Sequence, residues 1–527
     1  MSAVAAPVDL LPALPAARTL TAADLAGLVE ELAVYHAHFA PLFRRPEQRV
    51  WAEVYLRGLL TADVPRKNVE ALALRLLGAE GGADQRVRAV QQFIGAGGWD
   101  DAGLLAAHRR LVDETLGEAA GVLLIDGHET PKQGTHSVGV ARQWCGHSGK
   151  RDNCQAGVFL GYASRRGYTL LDRRLYLPAA WFGEDHADRR WACRIPRGTP
   201  FRTKHDLAGD LVEAAVAAGT LRARWVACDE GYGDSPALLD RWAATGLWYL
   251  AEVARDTRGW YLAEPDGPTP RARPERWVPP RAASGKGPAP TKERLHPASP
   301  APQRVDAWAA QVPAGRWQRY RLLEGSKGPL VAAFVAVRVV MVREGLPGPE
   351  GWLLVRRSVP SGDAEPEDKY YLSNAPADLA LGDLVRVSGM RWPIEACFAE
   401  GRQELGLDHY ETRSWRGWHH HTTLVILAHH FLVRLQRRLD PREGGLPTGP
   451  AAAAAGRDAP TAALGAPPPA LAGGPERDRG AGAATRPAAA AGVRPGRRPG
   501  LARLPAAPQA RRLPCPPPPP LAPTHRR

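Results

Sequence analysis

Residues 121–126 have the sequence GVLLID, a short apolar run that ends in an aspartate. Such a run is typical of a strand that is buried on both faces of a sheet. Two further runs, QAGVFLGYA (155–163) and YTLLDRRLYLP (168–178), are separated by the short polar segment 164–167 and predict a β-hairpin. These three strands predict the start of a sheet.

Helices and strands alternate after this hairpin. The sequence predicts a helix over about 204–218, the strand RWVACD (224–229), a helix over about 235–244 and the strand LWYLAEV (247–253). Three strands followed by helix, strand, helix and strand indicate an α/β fold, in which helices flank a mixed sheet.

Different patterns lie on either side of this core. Residues 22–117 contain amphipathic stretches that predict an all-helical region. Residues 263–304 are rich in Pro and Arg and predict a flexible loop or linker. Strands are then predicted at 330–343, 351–357 and 369–375, and helices at about 377–389, from Pro393 onward and at about 419–438.

These patterns divide the chain into six segments. They are a flexible N-terminus (1–21), a helical domain (22–117), the first part of the α/β core (118–254), an insertion with a Pro/Arg-rich loop followed by β-strands (255–375), the last part of the core (376–438) and a disordered tail (439–527).

The composition excludes several classes of protein. The 527 residues include 44% hydrophobic residues and carry a formal net charge of +14. A membrane-spanning helix is not expected, since no run of 18 apolar residues occurs. The N-terminus lacks the pattern of a secretory signal, and six cysteines in so long a chain predict reduced thiols rather than a disulfide framework. We therefore expect a cytoplasmic protein.

The C-terminal segment has an unusual composition. Residues 441–527 contain 13 Arg and 4 acidic residues but no Lys, Phe, Trp, Tyr or Ile. Such a segment cannot bury enough apolar surface to fold, which predicts disorder. Either a frameshift near residue 440 or a natural basic tail would account for it. Because the basic excess is concentrated there, the overall charge is weak evidence for nucleic-acid binding.

Three acidic residues lie where catalytic side chains are common. Asp126 and Asp229 each end a predicted strand, and Glu395 lies in the first turn of a predicted helix. Carboxylates suit Mg²⁺ or Mn²⁺, and two such ions can stabilise both oxygens of a phosphoryl displacement. The spacing alone favours a structural role, because strand-end aspartates often cap loops or pair with arginine.

Longer blocks around these residues resemble a known family. The resemblance is to bacterial insertion-sequence transposases of the DDE superfamily, and it runs from about 22 to 437. The blocks are LLIDGHETPKQGTHSVGVARQWCGHSGKRDNCQAGVFLGYA (123–163), ACDEGYGDSPALLDRWAATGLWYLAEV (227–253) and KYYLSNAPADLALGDLVRVSGMRWPIEACFAEGRQELGLDHYETRSWRGWHHHTTLVILAHHFL (369–432).

This resemblance implies an RNase H-like core and cleavage and joining of DNA at transposon ends. Asp126, Asp229 and Glu395 would be the catalytic triad and would hold two Mg²⁺ or Mn²⁺ ions. The partners would be the double-stranded DNA of terminal inverted repeats and target sites, and a homodimer would pair the two ends. The strands at 330–357 resemble a β-rich insertion that contacts DNA in related transposases.

Related transposases also carry a Tyr-Arg-Glu-Lys signature. Arg391 and Glu395 match its middle positions, Arg402 keeps the charge of the Lys, and Ser388 departs from the Tyr. The aromatic contact to DNA near the cleaved end is therefore in doubt. Thr130 also departs from an aromatic that is common in the first block.

Basic residues would contact the DNA backbone. Arg391 and Arg402 would neutralise phosphates, and Lys132 and Arg142 could line a phosphate path, although a solvated Gly-rich loop has the same composition. A further basic cluster lies in the helical domain (22–117), and together with the resemblance it implies that this domain binds the DNA of the transposon ends. This cluster comprises Arg44, Arg45, Arg49, Arg57, Arg66 and Lys67.

Other candidate sites have simpler interpretations. Cys145, His147 and Cys154 lack the paired spacing of a zinc site, and three consecutive histidines, 419–421, point in different directions on a helix. Trp415 and Trp418 are expected to pack in the core rather than stack on bases.

Two alternatives to an active transposase remain open. One is a decayed, non-catalytic remnant that still binds DNA, which the departure at Ser388 and the tail favour. The other is an unrelated nuclease with an RNase H-like core. The intact Asp126, Asp229 and Glu395 favour catalysis.

Overall fold

A computed structural model describes residues 8–9, 27–280, 290–325, 328–359 and 365–439 of the chain. The predictions of a flexible N-terminus and of a disordered or frameshifted tail lie outside the described residues, except for Val8–Asp9 and Leu439. Strand β1 (Val8–Asp9) pairs with a strand of the insertion.

The N-terminal region is helical, as the sequence predicts. Two of its helices begin at capping side chains, since Asn68 accepts a hydrogen bond from the amide of Ala71 at 2.8 Å and Asp100 accepts one from Gly103 at 3.0 Å. The helices are α1 (Leu28–Ala37), α2 (Pro46–Leu60), α3 (Val69–Leu77), α4 (Ala83–Gly95) and α5 (Asp101–Leu116).

The core is a mixed sheet. Its strands lie in the order β5-β4-β2-β6-β7, with β4 antiparallel to β2 and β5, and with β6 and β7 parallel to β2. When these five strands are numbered in chain order, with the outer strand β3 left out, they lie as 3-2-1-4-5, the order expected for an RNase H-like core. The strands are β2 (Val122–Pro131), β3 (Ala141–Cys145), β4 (Lys150–Ser164), β5 (Gly167–Leu175), β6 (Trp225–Cys228) and β7 (Trp248–Val253).

Helices connect these strands. The predicted helices over 204–218 and 235–244 are confirmed, and the first begins at a capping box formed by Thr203 and Asp206. Strand β3 and two short helices were not predicted. The helices are α6 (Ala187–Ala192), α7 (Lys204–Ala218), α8 (Glu230–Gly233) and α9 (Pro236–Ala244).

The insertion continues the core sheet. Strand β15 pairs antiparallel with β7, and β14, β13 and β12 follow outward from it, so these strands extend the core sheet, whereas β9 and β10 form a separate two-stranded sheet. The elements are β8 (Arg258–Tyr261), β9 (Arg276–Trp277), β10 (Arg294–Leu295), β11 (Gln303–Arg304), α10 (Val305–Ala309), β12 (Gln318–Gly325), β13 (Gly328–Arg343), β14 (Leu346–Ser358) and β15 (Asp368–Ser373).

The Pro/Arg-rich segment is more structured than the sequence suggests. In its described parts, β9 pairs with β10, and Arg276 forms an ion pair with Glu293 at 2.8 Å. The indole of Trp260 donates a hydrogen bond to the carbonyl of Pro300 at 2.7 Å. These contacts tie much of the predicted loop to the insertion.

Helices cover both faces of the core sheet. Helices α7, α9 and α10 pack on one face, and α11 (Leu381–Gly389), α12 (Pro393–Gln403) and α13 (Trp415–Leu439) pack on the other. The N-terminal helices share a continuous apolar core with α13. They therefore belong to the same compact unit as the core sheet.

Helix α13 is buried over most of its length. Trp418 lies in the core, as expected, whereas Trp415 is only partly buried against it. The consecutive histidines take separate partners: His420 Nδ1 donates to the carbonyl of Ile94 at 3.0 Å, and His421 Nδ1 bonds Tyr55 Oη at 2.9 Å.

None of the helices in the described ranges is long and apolar enough to span a membrane.

Candidate active site

The strand register brings carboxylates together at one edge of the sheet. Ile125 pairs with Cys228 as the last register pair of β2 and β6, and Cys228 pairs with Ala251 on β7. The next residues along these three parallel strands are therefore neighbours. They are Asp126, Asp229 and Glu252.

Helix α12 brings a fourth carboxylate to the same place. Glu395 lies in its first turn and, with the strand carboxylates, lines a pocket of about 660 Å³. All three residues that the sequence predicts to be catalytic, Asp126, Asp229 and Glu395, therefore line one pocket. Its lining is Asp126, Gly127, His128, Glu129, Gly146, His147, Asp229, Glu230, Glu252, Lys369, Arg391, Glu395, Phe398 and Arg402.

The strand aspartates are destabilised in their charged form. Burial, and then the charge of Asp229, raise the pKa of Asp126 to about 8, although its Oδ1 accepts a hydrogen bond from the amide of Gly127 at 2.7 Å. Burial also raises the pKa of Asp229, and the nearby Arg391 opposes that shift. Asp229 caps the one-turn helix α8 by accepting from the amide of Tyr232 at 3.3 Å.

Arg391 neutralises part of this negative charge. Its Nε lies 3.4 Å from Glu252 Oε2, and its Nη2 donates to Glu395 Oε1 at 2.8 Å. Burial lowers the pKa of Arg391, but the carboxylates of Glu252, Glu395 and Asp126 outweigh that effect and raise it. The Arg391 side chain is therefore a half-buried cation held between a strand and a helix.

Glu252 was not predicted as a site residue. It is buried, with its Oε1 bonded to Lys369 Nζ at 2.9 Å and its Oε2 facing Arg391. The signal in the sequence is a charged residue inside the apolar run LWYLAEV, but only the register of β6 and β7 places it beside Asp229.

The charge pattern of the pocket fits a divalent cation. Six carboxylates line it, and three of them, those of Asp126, Asp229 and Glu230, have raised pKa values that a cation would lower. Glu395 is bonded to Arg391 in this conformation, and within the described ranges no three His, Cys, Asp or Glu side chains have the arrangement of a metal site. The donor set is oxygen, as Mg²⁺ and Mn²⁺ prefer.

The predicted phosphate-binding residues do not all reach this pocket. Arg391 and Arg402 line it, whereas Arg142 is exposed on β3 and does not line it. Lys132 does not line it: its Nζ lies 3.7 Å from the centre of the Tyr410 ring, and burial lowers the pKa of Lys132 to about 8. Packing over Tyr410 accounts for Lys132 without a ligand.

The N-terminal basic cluster is only partly accessible. Lys67 is buried and donates to the carbonyls of Leu59 and Glu404, so it does not belong to a basic surface as predicted. Arg66 forms an ion pair with Glu411 at 3.3 Å. Arg44 and Arg45 line an open groove with Trp51 and Phe93.

Ser388 is buried in α11. Its Oγ donates to the carbonyl of Val385 at 2.7 Å, a local helix contact. A side chain at this position does not line the acidic pocket. The pocket instead has Phe398 on one wall, which stacks on His128 with ring centres 5.0 Å apart.

The fold and this pocket define an α/β protein with an RNase H-like strand order and a cluster of carboxylates at the carboxyl edge of its sheet. The chain belongs to the DDE superfamily endonuclease family, whose model matches residues 38–329. That span includes Asp126, Asp229 and Glu252, and it ends before Glu395.

Other comparisons add little. No curated protein sequence matches the chain. A solved cryo-EM structure of a piggyBac transposase synaptic complex with hairpin DNA is 10% identical, with 80% of this chain and 74% of that chain covered. Its TM-score is 0.34, which is too low to define a common fold.

Proposed function

We propose that the protein is a transposase that cleaves the DNA ends of an insertion sequence and joins them to target DNA. The observation that carries this proposal is the meeting of Asp126, Asp229 and Glu395 in one pocket that also holds Arg391 and Arg402. Membership of the DDE superfamily endonuclease family supports a reaction at DNA phosphodiesters.

Each side chain has a role that follows from its position. Asp126, Asp229 and Glu395 would hold Mg²⁺ or Mn²⁺, which supplies activation of the attacking water or 3′ hydroxyl and stabilises the leaving oxygen. Arg402, which has no ion pair or hydrogen bond within the described part of the chain, would bind a backbone phosphate. Arg391 holds Glu395 and Glu252 in place.

Partners follow from this reaction. The substrates would be double-stranded DNA, first the terminal inverted repeats and then the target, and two copies of the chain would pair the two ends. Of the alternatives, a non-catalytic remnant finds support in the buried Ser388, whereas the intact acidic pocket supports catalysis.

Cleavage and joining of DNA test the proposal. The DNA that flanks the reading frame supplies the candidate inverted repeats, and the purified chain is incubated with them and Mg²⁺ or Mn²⁺. We expect cleavage at the ends and joined products, and we expect Asp126→Ala to lose both by at least about 10³-fold while it still binds the ends. Cleavage without a preference for these ends would indicate a nuclease.

Equal cleavage by the wild type and Asp126→Ala would contradict the assignment of the pocket. Binding of the ends by both, with no cleavage by either, would identify a non-catalytic remnant.

A further inference from the structure

The β3–β4 hairpin presents an exposed tryptophan beside the acidic pocket. Ala141–Cys145 pairs with the start of β4, and Trp144 lies opposite Arg151. The side chain of Trp144 is among the exposed large hydrophobic residues, with 60% of its surface accessible. An indole that is this exposed buries little apolar surface and therefore contributes little to folding.

Two arginines share the face of the hairpin with Trp144. Arg142 lies two residues earlier on the same strand, and Arg151 is the cross-strand neighbour, so the three side chains project from one side. Neither guanidinium has an ion pair or hydrogen bond to another described residue. The acidic residue of the hairpin, Asp152, lies opposite Gln143 and thus on the other side.

The tip of the hairpin reaches the pocket. Gly146 and His147 in its turn line the same cavity as Asp126 and Glu395. The turn is closed by hydrogen bonds from Ser148 N to Cys145 O at 3.1 Å and from Gly149 N to Gly146 O at 3.3 Å. A ligand held in the pocket would therefore extend past this hairpin.

The base of the hairpin is held in place. Asn153 donates from its side chain to the carbonyls of Lys132 and Gly134, at 2.5 and 3.0 Å. Cys145 and Cys154 are buried beneath the exposed face. The aromatic and basic groups are thus positioned by a structured scaffold before any ligand binds, which lowers the entropic cost of binding.

We propose that Trp144 stacks on an unpaired nucleobase next to the phosphodiester in the acidic pocket, while Arg142 and Arg151 contact the backbone phosphates on either side. This inference rests on the proposed function, since it takes DNA as the ligand. An indole face accepts any base, and cations that flank an aromatic are the usual pattern of a single-strand contact. Stacking would stabilise a nucleotide that has left the duplex at the cleaved end.

Direct binding measurements test this role without cleavage. All proteins carry Asp126→Asn, and the probes are a blunt duplex and the same duplex with a short single-stranded overhang that contains 2-aminopurine. We expect Trp144→Ala to weaken binding of the overhang probe about tenfold, to leave the blunt duplex nearly unchanged and to abolish quenching of 2-aminopurine. Trp144→Phe should keep most of the affinity and quenching.

Two matched variants distinguish the effect of base stacking on DNA binding from the effect of charge and from the effect of losing any exposed indole. Trp191→Ala removes a tryptophan that is 82% exposed and does not line the acidic pocket, so it should leave both probes unaffected. Arg142→Ala should weaken binding to both probes and reduce the salt dependence by about one phosphate contact.

The outcomes distinguish this inference from the proposed function. If Trp144→Ala binds and quenches the overhang probe like its parent, or if Trp191→Ala has the same selective loss, stacking by Trp144 is excluded while DNA cleavage can still stand. If the parent protein binds neither probe nor its candidate inverted repeats, both the inference and the proposed function are wrong.

Discussion

Asp126 combines a buried position with a neighbouring like charge. Its pKa is about 8 in the folded chain, against an ordinary value of 3.8, so the folded state binds a proton more tightly than the unfolded state between these values. The free energy of unfolding therefore falls as the pH rises through this window, and it is lowered by the full amount above pH 8, where Asp126 is ionised in both states. A site that is destabilised without its metal is common where function requires close charges.

Asp126→Asn should stabilise the metal-free protein. Because the amide has no charge to bury, we expect the free energy of unfolding to rise by about 1–2 kcal/mol at pH 8 and to be unchanged near pH 4. Mg²⁺ should raise the melting temperature of the wild type but not of this variant. Thermal unfolding with and without Mg²⁺ measures both effects, and a destabilised variant at pH 8 would contradict the charge argument.

Glu252 is expected to tune the pocket through Arg391. Glu252→Gln keeps the shape but leaves Arg391 and Lys369 without their shared carboxylate, so positive charge in the pocket increases. The Mg²⁺ concentration for half-maximal DNA cleavage should rise about tenfold, as is typical for groups that orient metal ligands.

A surface carboxylate provides the control for Glu252. Glu350 forms an ion pair with Arg273 at 2.7 Å and does not line the pocket, so Glu350→Gln should keep the wild-type metal dependence. An unchanged metal requirement in Glu252→Gln would mean that Arg391 is held without it.

At the scale of elements, the core strands could be predicted because each has its own local signal. The apolar runs and turn residues locate β2, β4–β7 and the helices α7 and α9 to within a few residues, except that β2 and β4 extend further than the runs. The sequence analysis did not predict strand β3, because its sequence, ARQWC, places polar side chains on both faces of the strand and leaves no apolar face.

The sequence could not predict how the insertion joins the core. Its strands have strong β patterns, yet their pairing with β7 depends on contacts between residues far apart in the chain, such as Leu372 with Ala251. The position of Glu252 beside Asp229 could not be predicted for the same reason, since it depends on the register of β6 and β7. Asp126 and Asp229 were found because each ends an apolar run in the sequence, whereas Glu252 lies within one; in the structure, β2 continues past Asp126 to Pro131.

The short helix α8 controls the position of Asp229. Gly233 ends this helix, and a Cβ at that residue would lie 1.8 Å from the backbone carbonyl oxygen of Glu252. Gly233→Ala must therefore push α8 away from β7. We expect a loss of about 1–3 kcal/mol in the free energy of unfolding and a loss of cleavage.

Gly134→Ala is the matched control for Gly233→Ala. A Cβ at Gly134 meets no atom within 4 Å, so this variant should unfold and cleave like the wild type. Urea unfolding and DNA cleavage measure the two effects. Normal stability and activity in Gly233→Ala would show that α8 tolerates a shift from β7.

At the scale of the whole molecule, buried histidines join the N-terminal helices to α13 and to the sheet. His430 bonds Tyr35 Oη at 3.3 Å and Thr115 Oγ1 at 2.9 Å, and His108 contacts the carbonyl of Leu170 at 2.8 Å. The ring of His420 stacks on Trp99 with centres 3.5 Å apart. This shared core explains why the helical region is not a separate compact unit.

Burial keeps these imidazoles neutral. It lowers the pKa of His108 and His420 to about 4 and that of His421 to about 3, from an ordinary value of 6.5. The unfolded chain therefore binds more protons than the folded chain between about pH 6.5 and 4. The contribution of these neutral histidines to the free energy of unfolding is fully present above pH 6.5 and is lost as the pH falls through that window.

Acid should unfold this protein through its histidine-rich core. In the Asp126→Asn background, which removes one carboxyl of opposite sign, we expect the urea midpoint to fall steeply below pH 6.5. Since a pKa lowered from 6.5 to about 4 corresponds to about 3 kcal/mol, few such groups are needed to unfold the chain by pH 4.5.

His421→Gln should make the fall shallower by about one proton, whereas the exposed His147→Gln should not. A urea midpoint that stays constant from pH 7.5 to 4.5 would mean that these histidines are protonated equally in the folded and unfolded chain, which would contradict their burial as neutral imidazoles.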